Sequence, residues 1–550
     1  MTLERKRIAV FPDSSLRARA RLLDSLAELY PVDFVPESEA SLDRTDAMVF
    51  FSPEKTRPEQ ALERGVSSFV FGRSSAMIGL NATASVSFSN HAVLHPAFRN
   101  ARIPLGSATA AAELTAAGGD TPLASHDSLR LWLVRSNGKA VLHTVAVGPP
   151  ELRGDELLWL YLQPQNWLAL LPLLHFIRQV TADVDWSPVR QHACFIFDDP
   201  NLHSRRYGYL DFVELAREAS RHNYHAALAT VPLDASYAAP KAVELFHKCA
   251  RRLSLLIHGN DHVKNELGRQ YTEGEALRIV AQALTRISTL ERRTELKVSK
   301  VIAGPHGGCS ESMMAQMLRM PLEGACASGG TIVRCNPEKN WPLGFGLSPV
   351  CFMAGGFPVI RRFHLRYGLL PLRFAAFLGQ PIIAYGHHQD CAEGLGQLAE
   401  IADTVNAWTT TTWTDLETVV LDSCRTRREG DLLHVQMGAR RARVTVPEGI
   451  FRVAVHAYGG TDGASCKITA ASGTAQPQTW ALNIPNRVVP SSVLTLRISS
   501  CRPLDPAIVA QPGYRVWPPV RRALAIGRDR LMPILRTFRP SNAVEFRAQR

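Results

Sequence analysis

Residues 186–425 alternate short apolar runs with amphipathic stretches, and this alternation constrains the chain more than any other feature. The apolar runs are Cys194–Phe197, Ala226–Val231, Leu253–Ile257, Lys300–Ala303, Gly324–Ala327 and Pro381–Tyr385. Between several of them, Tyr209–Arg221, Lys241–Arg251, Glu273–Leu290 and Ser310–Arg319 carry apolar residues at helical spacing. A strand–helix rhythm sustained this long predicts a parallel sheet or barrel, whose active site forms beyond the C-terminal ends of the strands. Polar residues clustered just after a strand are therefore where chemistry is expected.

Three strand ends carry such clusters. The first is Phe197-Asp198-Asp199-Pro200. Adjacent side chains on extended backbone point to opposite sides, so one carboxylate can bind a metal while the other stays free as a base. An Asx-turn before Pro200 is the plainer reading of the pair taken alone. The second is Ile257-His258-Gly259-Asn260-Asp261-His262. Imidazoles at i and i+4 on one turn can share an ion. The spacing alone decides little, because His91 and His95 show it too; no acidic strand end lies near that earlier pair, which reads as structural. The third is Tyr385-Gly386-His387-His388, where a histidine at a strand end is placed to act as acid or base in the same mouth.

In their order, these three motifs resemble the polysaccharide deacetylase (NodB-homology, carbohydrate esterase family 4) superfamily, over roughly Val189–Leu421. The resemblance implies a deformed (β/α) barrel and a metal-dependent hydrolase that removes an N-acetyl group from a sugar or glycan. It implies Asp198 as general base, Asp199, His258 and His262 as metal ligands, and His387 as general acid, with His388 as substitute. Pro305, His306 and Gly307 fall in the family's Arg-x-Pro-x-Gly loop, beside the substrate and oxyanion. Ala303 stands where that loop has its arginine, and Arg334 or another residue is needed to replace it. Gly259 and Pro200 depart from the family pattern as well.

The chemistry is coherent without the family. Amide hydrolysis requires a nucleophile stronger than neutral water and an acid for the leaving amine. Bound Zn²⁺ lowers the pKa of water to ~7 and polarises the carbonyl, and two His plus one Asp leave positions open. Backbone N–H groups of the Gly307-Gly308 turn are candidate oxyanion donors. The same ligand count fits the Fe(II) facial triad of oxygenases, where the second Asp and the late His have no use; imidazole argues against Mg²⁺. A barrel used only as a binding module, and an amidase acting on a non-sugar amide, are the competing readings. Loss of the arginine at 303 favours the binding module; retention of the Asp and His set argues against it.

The flanks differ in character. Residues 1–185 begin as an α/β layer that loosely resembles glutamine-amidotransferase-like domains, without catalytic residues to carry over. Ile8–Phe11, Asp46–Phe51 and Ser67–Phe71 read as strands, Leu16–Leu29 as a helix, and Asn137-Gly138 as a hairpin turn between Leu129–Arg135 and Lys139–Val147. Residues 426–505 carry alternating runs at Leu433–Met437, Ala442–Val446, Phe451–Ala457, Ser465–Thr469 and Val493–Ile498, which predict a small antiparallel β-sandwich. The expected fold is therefore an α/β chain with a deacetylase-type barrel, an N-terminal α/β domain, a C-terminal β-sandwich and a basic tail over 506–550.

Charge and cysteine usage bound the partners. The net charge is +12 over 550 residues, but Arg515–Arg550 alone holds nine Arg against Asp529 and Glu545. The basicity reports a tail rather than a nucleic-acid surface. None of the ten Cys forms a CxxC pair, and the N-terminus lacks a signal-peptide apolar region, so a cytoplasmic protein is expected. The Leu157–Val180 apolar stretch is interrupted by Gln163–Asn166 and Pro172, short of a membrane span. In the tail, Leu524, Leu531, Leu535 and Phe538 recur at helical spacing among arginines, while Gly527 and Pro533 weaken a helix by ~1 and ~3 kcal/mol. Two short helical pieces in a loosely packed tail are expected; the sharper alternative is peripheral attachment to an anionic membrane, with truncation after Asp505 leaving soluble-substrate turnover intact.

Overall fold

The computed structural model describes residues 4–39, 44–52, 56–72, 77–163, 166–188, 190–348, 351–353, 357–408, 410–457, 467–472, 477–499, 503–513 and 516–537. The chain divides into two units. The first joins Met1–Ser187 to Asn340–Pro349 and Leu369–Gln380; the second holds the rest. The linear reading assigned both of those later segments to the barrel. Helix Leu370–Phe377 shows why it differs: Phe374 and Phe377 pack on Phe98, and Phe377 stacks on His175 at 4.3 Å.

In the first unit, Lys6–Phe11 pairs in parallel with Val32–Pro36 and Ala47–Phe50, and Ser67–Phe71 continues the sheet to Ala140–Val145. Leu129–Asn137 then turns the sheet antiparallel, with Asn137 opposite Ala140 across the expected Gly138 turn. The interrupted apolar stretch supplies a buried helix, Trp167–Val180, and no helix of the described residues is long and apolar enough to cross a membrane. His91 and His95 are structural here. The His95 N–H donates to His175 Nε2 at 3.3 Å, and burial brings the pKa of His95 down to about 3.

In the second unit, Gln191–Asp198 pairs in parallel with Ala226–Thr230 on one side and Ile382–Gly386 on the other. The parallel order continues from Ala226–Thr230 through Leu253–His258, Val298–Ala303 and Gly324–Ala327 to Phe357–Arg361. Each of the six predicted apolar runs overlaps one of these strands. Cys194, Ile196, Ala227, Ala229, Leu256, Val301, Ala303, Cys326, Ile360 and Ile383 share one core, as the inward residues of a curled, nearly closed barrel do. Helix Leu416–Leu421 adds Leu416, Val419 and Val420 to that core. Its neighbours Ser299 and Gly324 place it at the N-terminal ends of the strands.

The connecting helices begin where their caps do. Thr272 and Glu275 form a reciprocal capping box for Glu273–Thr294, and Asp211 and Ser310 cap Phe212–Arg221 and Glu311–Leu318. Beyond the barrel, Cys424–Glu429, Leu432–Met437 and Arg452–Ala457 form one sheet. Arg441–Thr445, Val493–Ser499, Lys467–Ser472 and Gln478–Ala481 form another. Val435, Val455, Val444, Ile468 and Leu496 meet in the core between them. The arrangement is not wholly antiparallel, because Leu432–Met437 and Arg452–Ala457 run parallel. Ser465 and Cys466 of one predicted run lie outside the described residues.

The tail departs from expectation. Trp517–Thr537 is one helix that contains both Gly527 and Pro533. Pro518 and Pro519 fall in its first turn, where the missing N–H costs nothing. Inward packing of Arg522, Ile526 and Asp529 outweighs the weak propensity further along. Phe538 and Arg539 lie outside the described residues.

Candidate metal and acid–base site

Strand ends bring the predicted ligands together. Asp199, His258 and His262 offer atoms that all lie within 4.8 Å of one another. Asp199 Oδ1 is 2.7 Å from His262 Nε2 and 3.6 Å from His258 Nε2. His258 Nδ1 lies 3.1 Å from the Ala303 carbonyl, which can only accept. Nδ1 therefore carries the proton, and Nε2 turns its lone pair towards Asp199. Burial lowers the pKa of His258 to about 4, so the ring is neutral and ready to ligate. Asp199 Oδ1 is buried without a well-formed hydrogen bond. An unsatisfied carboxylate oxygen facing two imidazole nitrogens fits a cation better than it fits a closed hydrogen-bond network.

The loop that delivers His262 is held from behind. The buried Glu266 carboxylate accepts the N–H groups of Asn260 at 2.7 Å, Asp261 at 2.9 Å and His262 at 3.2 Å. Asp199 (φ 80°) and His262 (φ 55°) both sit in the left-handed region, where backbone strain is held in place by such clamps. Gly259, at φ +60°, has no alternative: a Cβ there would lie 2.6 Å from Glu266 Oε2 and from Pro305 Cγ. A side chain at this position is therefore excluded on steric grounds.

Asp198 stands apart from the ligand cluster, buried, and Arg362 Nη1 donates to its Oδ1 at 2.7 Å. The same guanidinium donates to the Gly304 carbonyl at 3.3 Å and lies 4.1 Å from the centre of the Tyr385 ring. Burial alone would raise the pKa of Asp198, but Arg362 and His258 hold it below the usual carboxylate value. Arg362 is therefore the cation that pairs with Asp198. Arg334, the residue named from sequence, instead donates to the Thr331 hydroxyl at 3.1 Å. Replacing the cation with a neutral side chain should free the burial effect. We expect Arg362→Gln to move the acidic limb of the pH–rate profile to higher pH, measured as kcat/KM against pH; an unmoved limb would show that Arg362 does not set the ionisation of Asp198.

The late histidines separate. His387 is half-buried and follows Ile382–Gly386, the strand paired with Gln191–Asp198 with Gly386 opposite Phe197, so His387 and Asp198 stand at neighbouring strand ends. Its backbone N–H donates to Asp390 Oδ2 at 2.8 Å, and His364, which the sequence reading missed, joins His387 and Asp390 in a second cluster. His388, expected as a substitute acid beside the substrate, is buried instead. Its Nδ1 accepts the Tyr209 N–H at 3.4 Å, and its Nε2 lies 3.6 Å from Asp529 Oδ1. Of the two candidate oxyanion donors, the Gly307 N–H donates to the Gly304 carbonyl at 2.8 Å and is spent in its own turn. Pro305 packs against Gly259, while His306 is exposed with its ring 6.1 Å from that of His262.

The C-terminal helix supplies residues that the sequence reading left in a tail. Arg522 Nη2 donates to the Asp199 carbonyl at 2.6 Å, and its Nε and Nη2 reach Asp234 Oδ2 at 2.9 and 2.7 Å. Arg521 donates to the His262 carbonyl, and Asp529 accepts from Tyr207 Oη at 2.9 Å. The signal was present as Arg522, Ile526 and Asp529 at i, i+4 and i+7, with the helix's lone acid on the inner face. The tail is therefore packed against the loops that carry the candidate ligands. Loss of a residue that supports a metal ligand typically costs ~10–100-fold in affinity. Arg522→Ala should weaken Zn²⁺ binding by about that factor, read by competition with a chromophoric chelator.

No family model matches the chain, and no curated protein matches it. Among solved structures it is similar to a putative polysaccharide deacetylase from Mycobacterium smegmatis, at 12% identity and TM-score 0.30 over 43% of this chain and 93% of that one. It is also similar to a family 4 carbohydrate esterase from Streptomyces lividans, at 8% and 0.24 over 40% and 88%. A β-galactosidase from Bacillus circulans sp. alkalophilus matches at 10% and 0.22, over 33% of this chain and 31% of that one. Scores this low assign no family, and the functional reading rests on the site.

Proposed function

We propose that the protein is a metal-dependent hydrolase that removes an N-acetyl group from a sugar or glycan. The observation that carries this reading is the division of labour at one barrel end: Asp199, His258 and His262 face each other as ligands, while Asp198 stays outside the set, paired with Arg362. Two imidazoles and a carboxylate suit Zn²⁺. When bound, Zn²⁺ would supply Lewis acidity, polarising the acyl carbonyl and acidifying water. Asp198, kept ionised by Arg362, takes the proton of the attacking water. The C–N bond breaks, and His387 gives its proton to the departing nitrogen, releasing acetate and a free amine. Asp390 fixes the backbone of His387 during that transfer.

The binding-module reading loses its main support, because Arg362 supplies the cation that Ala303 lacks. The deciding experiment incubates Zn²⁺-loaded protein with a panel of N-acetylated glycans and non-sugar acetamides, read by mass spectrometry. Loss of acetyl groups from glycans alone is expected. Hydrolysis confined to the other amides would replace the substrate, and a panel left intact would return the barrel to a binding role.

A further inference from the structure

The C-terminal helix is amphipathic in an inverted sense. Its inner face carries the polar anchors Arg522 and Asp529, both nearly fully buried. Its outer face is apolar: Trp517 (64% exposed), Val520, Leu524 (65%), Leu531, Ile534 and Leu535 (61%) stand in water. On a helical projection, Trp517, Leu524, Leu531 and Leu535 fall within one narrow stripe. A stripe of this kind on a helix that is already docked is a candidate second interface, because burial of the inner face does not require it.

We infer that this outer face seats on an anionic lipid surface and that seating tightens the loops carrying Asp199 and His262. The occupant follows from charge. Arg528, its side chain 63% exposed despite pairing with Asp529, projects from the same stripe. The segment Arg515–Arg550 carries nine Arg against two acids. Arg521 and Arg522 turn inward, but the segment keeps a net positive charge that would repel a second copy on this face, whereas an anionic bilayer takes up both the apolar side chains and the charge. The coupling follows from the contacts of the docked helix. Arg522 holds the Asp199 carbonyl and Arg521 the His262 carbonyl, so a surface that favours the docked helix also favours the held state of both loops.

Two measurements on the full chain test this, neither of which reads turnover; a failed glycan panel would sink the proposed reaction and leave them untouched. The first is co-sedimentation with phosphatidylserine-containing vesicles against pure phosphatidylcholine. Wild type should bind the anionic vesicles, less at high salt. Leu524→Glu/Leu531→Glu should bind ~100-fold more weakly. Both positions are exposed and far from the ligands in sequence, and unchanged metal content of the variant confirms that its site is intact. Equal sedimentation of the two proteins overturns the inference, as does a wild-type dimer that the variant abolishes without any vesicle binding. The second is hydrogen exchange of the Asn260–His262 amides. Saturating anionic vesicles should slow it about tenfold in wild type and not in the variant. Exchange that stays unchanged on bound protein removes the coupling.

Discussion

Asp198→Asn is expected to retain the metal and lose turnover by ~10²–10⁴, the usual cost of a missing general base. The amide preserves the shape of the carboxylate, and its carbonyl can still accept from Arg362 Nη1, where the native distance is 2.7 Å. It cannot take a proton from water. Because Asp198 lies outside the ligand set, Zn²⁺ stoichiometry should stay at wild-type level. Stability will change with it, since removing the anion leaves Arg362 buried without a counter-charge, a loss of roughly 3–5 kcal/mol in comparable buried pairs. Turnover is therefore measured on protein shown to be folded and metal-loaded. The sign of the pH effect is fixed as well. The folded-state pKa of Asp198 lies below its ordinary value, so its contribution to wild-type stability is present above the unfolded pKa and is lost as pH falls through the folded one. The variant should lack that acid-side loss. Wild-type kcat in Asp198→Asn would remove this residue from the mechanism.

The sequence makes the ligands legible and hides their supports, for a physical reason. Asp198, Asp199, His258, His262 and His387 follow directly from apolar strands, and a strand end is a local pattern. Arg362 also follows a strand, Phe357–Arg361, but it sits beside Arg361. Adjacent residues there point to opposite sides, and one-dimensional reading does not say which arginine turns inward. Asp234 and Arg522 are harder still, because their pairing joins residues 288 apart through a buried bond. His388 was misplaced because the helix that buries it arrives from the far end of the chain. Propensity, which Gly527 and Pro533 lower, predicts a broken tail, while the stability of the helix comes from contacts that propensity does not contain. The segment Leu369–Gln380 reads as helical in either unit, and only the partners of Phe374 and Phe377 assign it to the first.

His258→Ala should lose the metal, with an affinity drop beyond the ~10–100-fold typical of supporting residues. A site with three protein ligands has none to spare. His258 is also the ligand best prepared for the task, since the Ala303 carbonyl fixes its tautomer and burial keeps it neutral. Binding there releases no proton near neutrality, so little of the lost affinity returns on raising the pH. Alanine leaves a cavity at a fully buried position, and His258→Gln, closer in volume, separates loss of the ligand from loss of packing. Both variants should show the same deficit in a Zn²⁺ competition titration. His306→Ala is the contrasting control: its ring lies 6.1 Å from that of His262, outside the ligand cluster, and the metal should stay. Wild-type Zn²⁺ affinity in His258→Ala would falsify the ligand assignment. Equal losses in all three variants would place the ion nearer the exposed His262–His306 side of the mouth than the buried end of the Leu253–His258 strand.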